Sequence, residues 1–186
     1  MRHRIVISGG PGAGKTTLID ALQKQGYATS AEVSRRLIRQ QVELQSDLVP
    51  WKNLEGFARL ALEAMIRDFE NSPSELTFFD RGIPDIIAYL KVGGLPVSKD
   101  FLTAARRYRY HNQIVMTPPW LEIYVNDDER WQSFQEAQEL YQAIASVYKT
   151  CGYELLELSK GPVNERVTFV TSALTGLLSV EAFPAR

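Results

Sequence analysis

The sequence predicts a three-layer α/β domain with a mostly parallel sheet, and three observations lead to this prediction. Short apolar runs, each long enough for one strand, alternate with longer stretches in which apolar residues have a helical period. A glycine-rich segment joins the first apolar run to the first helical stretch. No repeat, linker or low-complexity segment interrupts the pattern, so residues 1–186 are predicted to form one domain. Strands that alternate with helices form a parallel sheet that helices cover on both faces.

The apolar runs predict the strands of that sheet. In chain order the runs are Ile5–Ser8, Tyr27–Ala31, Leu76–Phe79, Ile114–Met116 with Glu122–Val125 close behind it, and Tyr153–Leu158. Two helices are marked by apolar residues that recur every three or four positions. These residues are Leu54, Phe57, Ala61, Met65 and Phe69 in one helix, and Phe134, Ala137, Tyr141, Ile144 and Tyr148 in the other. The apolar tail Val167–Val180 is shorter than a membrane span, so it is predicted to be a helix packed on the sheet.

Charge and cysteine content narrow the classes of function. The 21 basic and 22 acidic residues leave a net charge of −1, which argues against a general polyanion binder. Residues 105–111 mix basic and aromatic side chains, but one short stretch makes nucleic acid an unexpected partner. Cys151 is the only cysteine, which fits a reducing cytosol. The first apolar run stops at Gly9, too soon for a signal segment, so we expect a cytoplasmic protein without a membrane span.

The glycine-rich segment matches the phosphate-binding pattern G-x-x-x-x-G-K-[ST] in full. Glycines allow backbone N–H groups to point inward at a phosphate, at the positive end of the following helix. We expect Lys15, facing solvent without ligand, to bridge the β- and γ-phosphates, and the Thr16 hydroxyl to ligate Mg²⁺. The alternative is a plain strand–helix turn. The predicted nucleotide-binding residues are Gly9, Gly10, Pro11, Gly12, Ala13, Gly14, Lys15, Thr16 and Thr17.

An acidic residue at the end of another predicted strand supplies the second half of such a site. Asp80 follows Leu76–Phe79 directly, and its carboxylate can hold Mg²⁺, usually through a water. Arg81 beside it can pair with phosphate oxygens. The alternative interpretation is that Asp80 caps the N-terminus of the helix predicted over residues 84–90. Asp85 is a weaker candidate, because an acid one turn into that helix suits the helix dipole.

Five segments resemble, in order and spacing, the small P-loop kinase-like proteins described as an AAA-type ATPase domain. This group is related to nicotinamide riboside kinase domains and, more distantly, to deoxynucleoside kinases. The segments are GGPGAGKTTL, AEVSRRLI, FFDRGIPDIIAYL, PPWLEIYVNDDERWQSFQEA and GYELLELSKGPVNERVTFV, which together span nearly the whole chain. The resemblance implies a P-loop NTPase fold of the nucleoside and nucleotide kinase type, with a five-stranded parallel core and ATP bound on the P-loop. The chain lacks the helical lid domain of hexameric AAA+ proteins.

The resemblance also implies a residue that serves the phosphoryl acceptor. Glu32 matches the glutamate that, in deoxynucleoside kinases, acts as base toward the acceptor hydroxyl at the end of the second strand. The alternative is that Glu32 caps the helix that begins near Val33. Arg35 and Arg36 follow, and each faces either an acceptor phosphate or solvent. Catalysis in such enzymes rests chiefly on positioning and charge neutralisation.

Two further segments match loops of these kinases. Residues 125–134 resemble the lid, in which Arg130 would close over the γ-phosphate; the alternative is an ordinary acidic helix start. The second segment matches the loop that contacts the adenine in these kinases and contains Gly161, Pro162 and Val163. The alternative is that these residues form a plain strand-to-helix turn. The tryptophans Trp51, Trp120 and Trp131 either line the acceptor pocket or lie in the core.

Two functions remain open from the sequence. The first is a Mg²⁺-dependent kinase that transfers the γ-phosphate of ATP to a nucleoside-like or other small-molecule acceptor. The catalytic set would be Lys15, Glu32, Asp80, Arg81 and Arg130. The second is a nucleotide-binding ATPase or regulatory module that acts through a protein or lipid partner. The chain has no [NT]-K-x-D string to read guanine, which favours ATP.

Overall fold

Five parallel strands form one sheet in the computed structural model, which describes residues 3–72, 76–124 and 133–174. The order across the sheet is β2-β3-β1-β4-β5, and every neighbouring pair is parallel. The strands are β1 His3–Gly9, β2 Ala28–Ser30, β3 Leu76–Asp80, β4 Gln113–Thr117 and β5 Glu154–Glu157. The predicted five-stranded parallel core is confirmed.

One of the predicted strand regions is wrong. The run over residues 122–125 does not extend the sheet in its described part, because Leu121–Ile123 form a single 3₁₀ turn. The Tyr124 N–H donates to the Leu121 carbonyl at 3.1 Å instead of to a neighbouring strand. Pro118 and Pro119 come directly after β4 and have no N–H to donate, so the ladder ends there.

Helices cover both faces of the sheet, as predicted. They are α1 Lys15–Lys24, α2 Val33–Glu43, α3 Leu54–Glu70, α4 Ile83–Val92, α5 Lys99–Arg107, α6 Phe134–Thr150 and α7 Val163–Ala173. The two periodic patterns named in the sequence correspond to α3 and α6. The predicted tail helix corresponds to α7 as far as residue 173, and residues 175–186 lie outside the described ranges. Within the described ranges, no helix combines the length and apolarity needed to cross a bilayer.

The alternation of β1 shows how the layers form. Ile5 and Ile7 point into a core shared with α1 and α7, whereas Val6 points into the larger core shared with α2 to α6. All three side chains are fully buried. Since successive strand residues face opposite sides of a sheet, a short apolar run can fill two cores at once.

The sheet brings the predicted site residues to one edge. The carboxyl ends of parallel strands meet at the same edge, and ligands bind there where the strand order reverses. β1 lies between β3 and β4 and leads into the glycine-rich loop, while β3 ends at Asp80 and β2 ends two residues before Glu32. The loops after β1, β2 and β3 are therefore neighbours.

Candidate active site

The glycine-rich loop turns tightly between β1 and α1. Gly12 and Gly14 have left-handed backbone angles, with φ of +69° and +72°, which side chains rarely adopt. A Cβ on Gly10 would lie 2.7 Å from the Ala137 carbonyl oxygen of α6, and one on Gly9 would collide with Thr117. The glycines are thus required by both conformation and close packing. Residues 11–17 line a cavity of about 1070 Å³.

Lys15 does not face solvent, so the expectation of a solvent-facing ammonium is wrong. The side chain is 6% exposed, and Nζ donates to the carbonyl oxygens of Gly10 at 2.6 Å and Gly9 at 3.2 Å. Burial and the neighbouring Arg81 charge lower the pKa of Lys15 to about 8. The ammonium is held inside the loop, where incoming phosphate oxygens could replace the two carbonyls.

Asp80 lies at the buried end of β3, 4% exposed. It does not cap α4, because the N-cap residue is Gly82, and the Gly82 N–H donates to Asp85 at 3.0 Å; the capping interpretation of Asp80 is therefore wrong. Oδ1 of Asp80 has no hydrogen-bond partner among the described residues. Burial and the charge of Glu32 raise the pKa of Asp80 to about 6.

The donor set around Asp80 fits Mg²⁺. Among the described residues, no donor reaches Oδ1 of this buried carboxylate, and its raised pKa shows that Lys15 and Arg81 do not fully offset burial and the charge of Glu32. Thr16, on the first turn of α1, is exposed and lines the cavity. Carboxylate and hydroxyl oxygens are ligands of the kind that Mg²⁺ takes, together with waters and phosphate oxygens.

Arg81 connects the three loops at the sheet edge. Its Nη1 donates to the Gly9 carbonyl at 2.9 Å and to Asp85 Oδ1 at 3.1 Å, and its Nε donates to Glu32 Oε1 at 3.3 Å. Its backbone has φ of +71°, a conformation that costs a non-glycine residue about 1–3 kcal/mol. These contacts with protein acceptors hold Arg81 at the cavity wall, 4% exposed, where it was predicted to pair with phosphate.

Glu32 lines the cavity from the start of α2. It occupies the N-cap position of this helix, as the capping interpretation predicted, but its side chain makes no capping hydrogen bond with the described residues. Its carboxylate instead faces Arg81 and lies 3.5 Å from Nε of Arg35. Burial raises the pKa of Glu32, but the charges of Arg81 and Lys15 outweigh it and hold the pKa below its ordinary value. The carboxylate is therefore ionised.

The two arginines after Glu32 separate. Arg35 lines the cavity beside Glu32. Arg36 is exposed and lies 3.3 Å from Asp68 on α3, outside the cavity lining. The pair therefore supplies one cavity cation and one surface cation.

Asp85 has a larger structural role than its place in the helix indicated. It is 1% exposed and accepts four hydrogen bonds. The donors are the Ser8 hydroxyl at 2.5 Å, Arg81 Nη1 at 3.1 Å, the Gly82 N–H at 3.0 Å and the Tyr148 hydroxyl at 2.6 Å. Asp85 thus connects β1, α4 and α6 beneath the site.

Sequence reasoning missed Arg166 on α7. Its guanidinium donates to the carbonyl oxygens of Ala13 at 3.2 Å and Gly14 at 3.3 Å, and it lies 5.7 Å from the ring centroid of Trp120. Its Nε is buried without a hydrogen-bond partner among the described residues, and burial lowers the pKa of Arg166. The only signal was a single arginine on the same helical face as Val163, Val167 and Val170.

The loops predicted to contact the base and the γ-phosphate have different outcomes. Gly161 and Val163 line the cavity, whereas Pro162 is exposed at the N-cap of α7 and does not. Arg130 and Trp131 lie in residues 125–132, outside the described ranges. The last two lid positions, Ser133 and Phe134, form the capped start of α6, in which Ser133 accepts from the Glu136 N–H at 3.2 Å.

The family model described as AAA domain matches residues 4–166. No curated protein matches the chain by sequence.

Several solved structures share the fold, among them two kinases. Deoxyadenosine kinase from M. mycoides with bound dATP has a TM-score of 0.64 at 15% identity, over 94% of this chain and 100% of that one. NadR in complex with NR has a TM-score of 0.69 at 17% identity, over 100% of this chain and 53% of NadR, so the chain spans about half of that protein. Shikimate kinase from Acinetobacter baumannii in complex with shikimate has a TM-score of 0.59 at 14% identity, over 98% and 97% of the two chains. The predicted kinase-type P-loop fold is confirmed.

Proposed function

The chain belongs to the family described as AAA domain, and from that premise we propose that it is an ATP- and Mg²⁺-dependent kinase. The acceptor would be a hydroxyl of a nucleoside-like or other small molecule. One observation carries the proposal: a single cavity of about 1070 Å³ joins the glycine-rich loop to an ionised carboxylate, Glu32. Ligand pockets occupy roughly 300–1,000 Å³, so this volume has room for a nucleotide and a second molecule.

The proposed reaction is a direct phosphoryl transfer. The acceptor oxygen forms a bond to the γ-phosphorus, while the bond from that phosphorus to the oxygen shared with the β-phosphate breaks and ADP leaves. The hydroxyl proton moves to the carboxylate of Glu32. A carboxylate with a lowered pKa is a weak base, so Glu32 would chiefly orient the hydroxyl and take the proton late. This suits a reaction that depends on positioning and charge neutralisation.

Lys15 and Arg81 would supply the positive charge at the transferred group. Both side chains are buried at the loop, where a charge interacts more strongly than it does in water. Lys15 would exchange the Gly9 and Gly10 carbonyls for oxygens of the β- and γ-phosphates. Arg81, fixed by Glu32 and the loop, would pair with phosphate through guanidinium donors not used in these bonds.

Asp80 and Thr16 would hold Mg²⁺. Support comes from the partnerless Oδ1 of Asp80 and from the exposed hydroxyl of Thr16 on the cavity wall. When bound, the ion would neutralise charge on the phosphate oxygens. We further propose that Gly161 and Val163, which line the cavity, contact the adenine and that Arg130 closes over the γ-phosphate.

The test is acceptor-dependent turnover. Purified full-length protein is incubated with Mg²⁺ and ATP against pools of metabolites that carry hydroxyl groups, and phosphate transfer is measured for wild type, Glu32→Gln and Glu43→Gln. Glu43 is a matched control, since it is an exposed glutamate of the same helix outside the cavity lining. One pool should stimulate turnover strongly. Glu32→Gln should lower that turnover by roughly 10²- to 10⁴-fold with ATP affinity nearly unchanged.

Two results would contradict the kinase proposal. The same low rate of ATP hydrolysis with every pool would indicate an ATPase or regulatory module. An unchanged single-turnover rate in Glu32→Gln, together with a lowered thermal midpoint, would give Glu32 a structural role only. Glu43→Gln should match wild type in both measurements.

A further inference from the structure

The cavity reaches to both sides of the glycine-rich loop. On the side of β4 and β5 it is lined by the residues that follow those strands, such as Trp120 and Gly161. On the side of β2 and β3 it continues between α2, α3 and α4. We call this second part the apolar arm and define it by the lining residues Ile38, Trp51, Phe57, Ala61, Ile86 and Tyr89. Glu32 and Arg81 lie where the arm meets the loop.

The walls that α3 and α4 give to the apolar arm offer very few hydrogen-bonding groups. The side chains that α3 and α4 bring to the cavity are apolar except for Asp85 and the Tyr89 hydroxyl. Asp85 already accepts four hydrogen bonds from the protein. Among the described residues, no asparagine, glutamine or histidine lines any part of the cavity.

This composition fits a nucleobase poorly. The edge of a base carries several donors and acceptors, and each one buried without a partner costs about 1–3 kcal/mol. Proteins that select a polar ligand place matching polar groups against it, and α3 and α4 provide one hydroxyl. On α2 the polar lining residues are Ser34 near the start of the helix, Arg35, which pairs with Glu32, and Arg39, which is exposed.

The mouth of the apolar arm exposes apolar side chains to solvent. Val42, Trp51 and Val92 are each 53% exposed, and all three line the cavity. They come from three separate segments, namely the end of α2, the α2–α3 connection and the end of α4. Exposed apolar surface that rims a concave site commonly marks a place where a ligand is bound.

We propose that the apolar arm binds the aliphatic or aromatic body of an alcohol, whose hydroxyl lies at the polar end beside Glu32. This inference deepens the proposed function and rests on it, since the hydroxyl would be the phosphoryl acceptor. The substrate class is therefore a neutral alcohol with an apolar body and not a nucleoside. Binding energy would come from the burial of the apolar surface of the alcohol. The Glu32 carboxylate would orient its hydroxyl by accepting a hydrogen bond from it.

A homologous series of alcohols tests the apolar arm. The full-length protein with ADP is titrated with 1-butanol to 1-octanol, and with adenosine and cytidine, and binding is followed by ligand-observed NMR. Affinity should rise about fourfold for each added methylene until the arm is full, because one buried methylene contributes about 0.8 kcal/mol. The nucleosides should bind more weakly than 1-octanol.

Three variants locate the binding in the arm. Ala61→Phe places a ring inside the arm and should end the rise at a shorter chain length. Trp51→Ala removes a half-exposed side chain at the mouth and should lower octanol affinity roughly fourfold, the equivalent of one buried methylene at about 0.8 kcal/mol. Leu44→Ala is the matched control, because Leu44 is 65% exposed and lies outside the cavity lining. It should bind octanol like wild type.

The outcomes separate this inference from the proposed function. Affinity that does not change with chain length, tighter binding of a nucleoside, or equal octanol binding by Trp51→Ala and wild type would overturn the inference. Phosphate transfer to a nucleoside would also overturn it while leaving the kinase proposal intact. Length-dependent binding without phosphate transfer to any alcohol supports the arm as a binding site and counts against the kinase.

Discussion

Replacing Asp85 by asparagine tests whether one buried carboxylate holds the loop ends together beneath the site. Its contacts come from Ser8, Arg81, Gly82 and Tyr148. Asparagine keeps the size of the side chain but loses its charge and turns one oxygen into a donor. Whichever way the amide is oriented, that donor faces the Arg81 guanidinium or the Gly82 N–H, neither of which can accept.

The expected loss is about 3 kcal/mol in the free energy of unfolding. Removing one partner of a buried ion pair costs about 3–5 kcal/mol, which includes the cost of leaving a buried donor unpaired. Arg81 keeps a second carboxylate, because its Nε donates to Glu32 at 3.3 Å, so the loss falls at the lower end. In a protein of this size, the melting temperature should fall by about 6–12 °C.

Urea unfolding, followed by circular dichroism, measures this loss. The m-value should not change, since the surface exposed on unfolding is the same. Asp47→Asn is the control: Asp47 and Lys52 form a surface pair at 2.8 Å with side chains 80% and 56% exposed, and its loss should cost about 1 kcal/mol or less. If Asp85→Asn were no less stable than Asp47→Asn, the reasoning about the Asp85 network would be refuted.

Two further substitutions test the charges at the loop. Lys15→Met keeps a chain of similar length without the buried charge. Its ATP affinity, measured by calorimetry, should fall roughly 10- to 150-fold, while its free energy of unfolding in urea changes by about 1 kcal/mol or less. An undiminished ATP affinity would show that Lys15 does not contact the phosphates. Asp80→Asn should raise the Mg²⁺ concentration needed for turnover. This variant should also be at least as stable as wild type, because burial disfavours the charged form of Asp80. The control is Asp20→Asn on the exposed face of α1, which should change neither the Mg²⁺ requirement nor the stability. A marked loss of stability in Asp80→Asn would reveal a structural partner for this carboxylate.

The sequence predicted the features that depend on local pattern. Buried parallel strands read as short apolar runs, and the glycine-rich loop was found because its backbone can only be built with glycines at Gly12 and Gly14. Because the strands are parallel, β1 and β3 end at the same edge of the sheet. Local pattern was thus enough for the fold and for the position of the candidate site.

The details that the sequence did not predict depend on contacts between distant parts of the chain. Arg166 donates to a carbonyl 152 positions earlier, and Tyr148 to a carboxylate 63 positions earlier. Lys15 is held inside by the Gly9 and Gly10 carbonyls, which only the folded loop brings to its ammonium. No spacing rule encodes such pairs. The charged residues around the loop could therefore be identified from the sequence, but the direction of their side chains and their hydrogen-bond partners could not.

The contacts of Arg166 with the loop also have a consequence for the order of folding. The loop occupies residues 9–16, yet the guanidinium that binds the carbonyls of Ala13 and Gly14 is made more than 140 residues later. β1 likewise pairs with β3 and β4, which come from the middle of the chain. During synthesis the glycine-rich loop therefore leaves the ribosome well before α7, and it reaches its final shape only after α7 has emerged and docked.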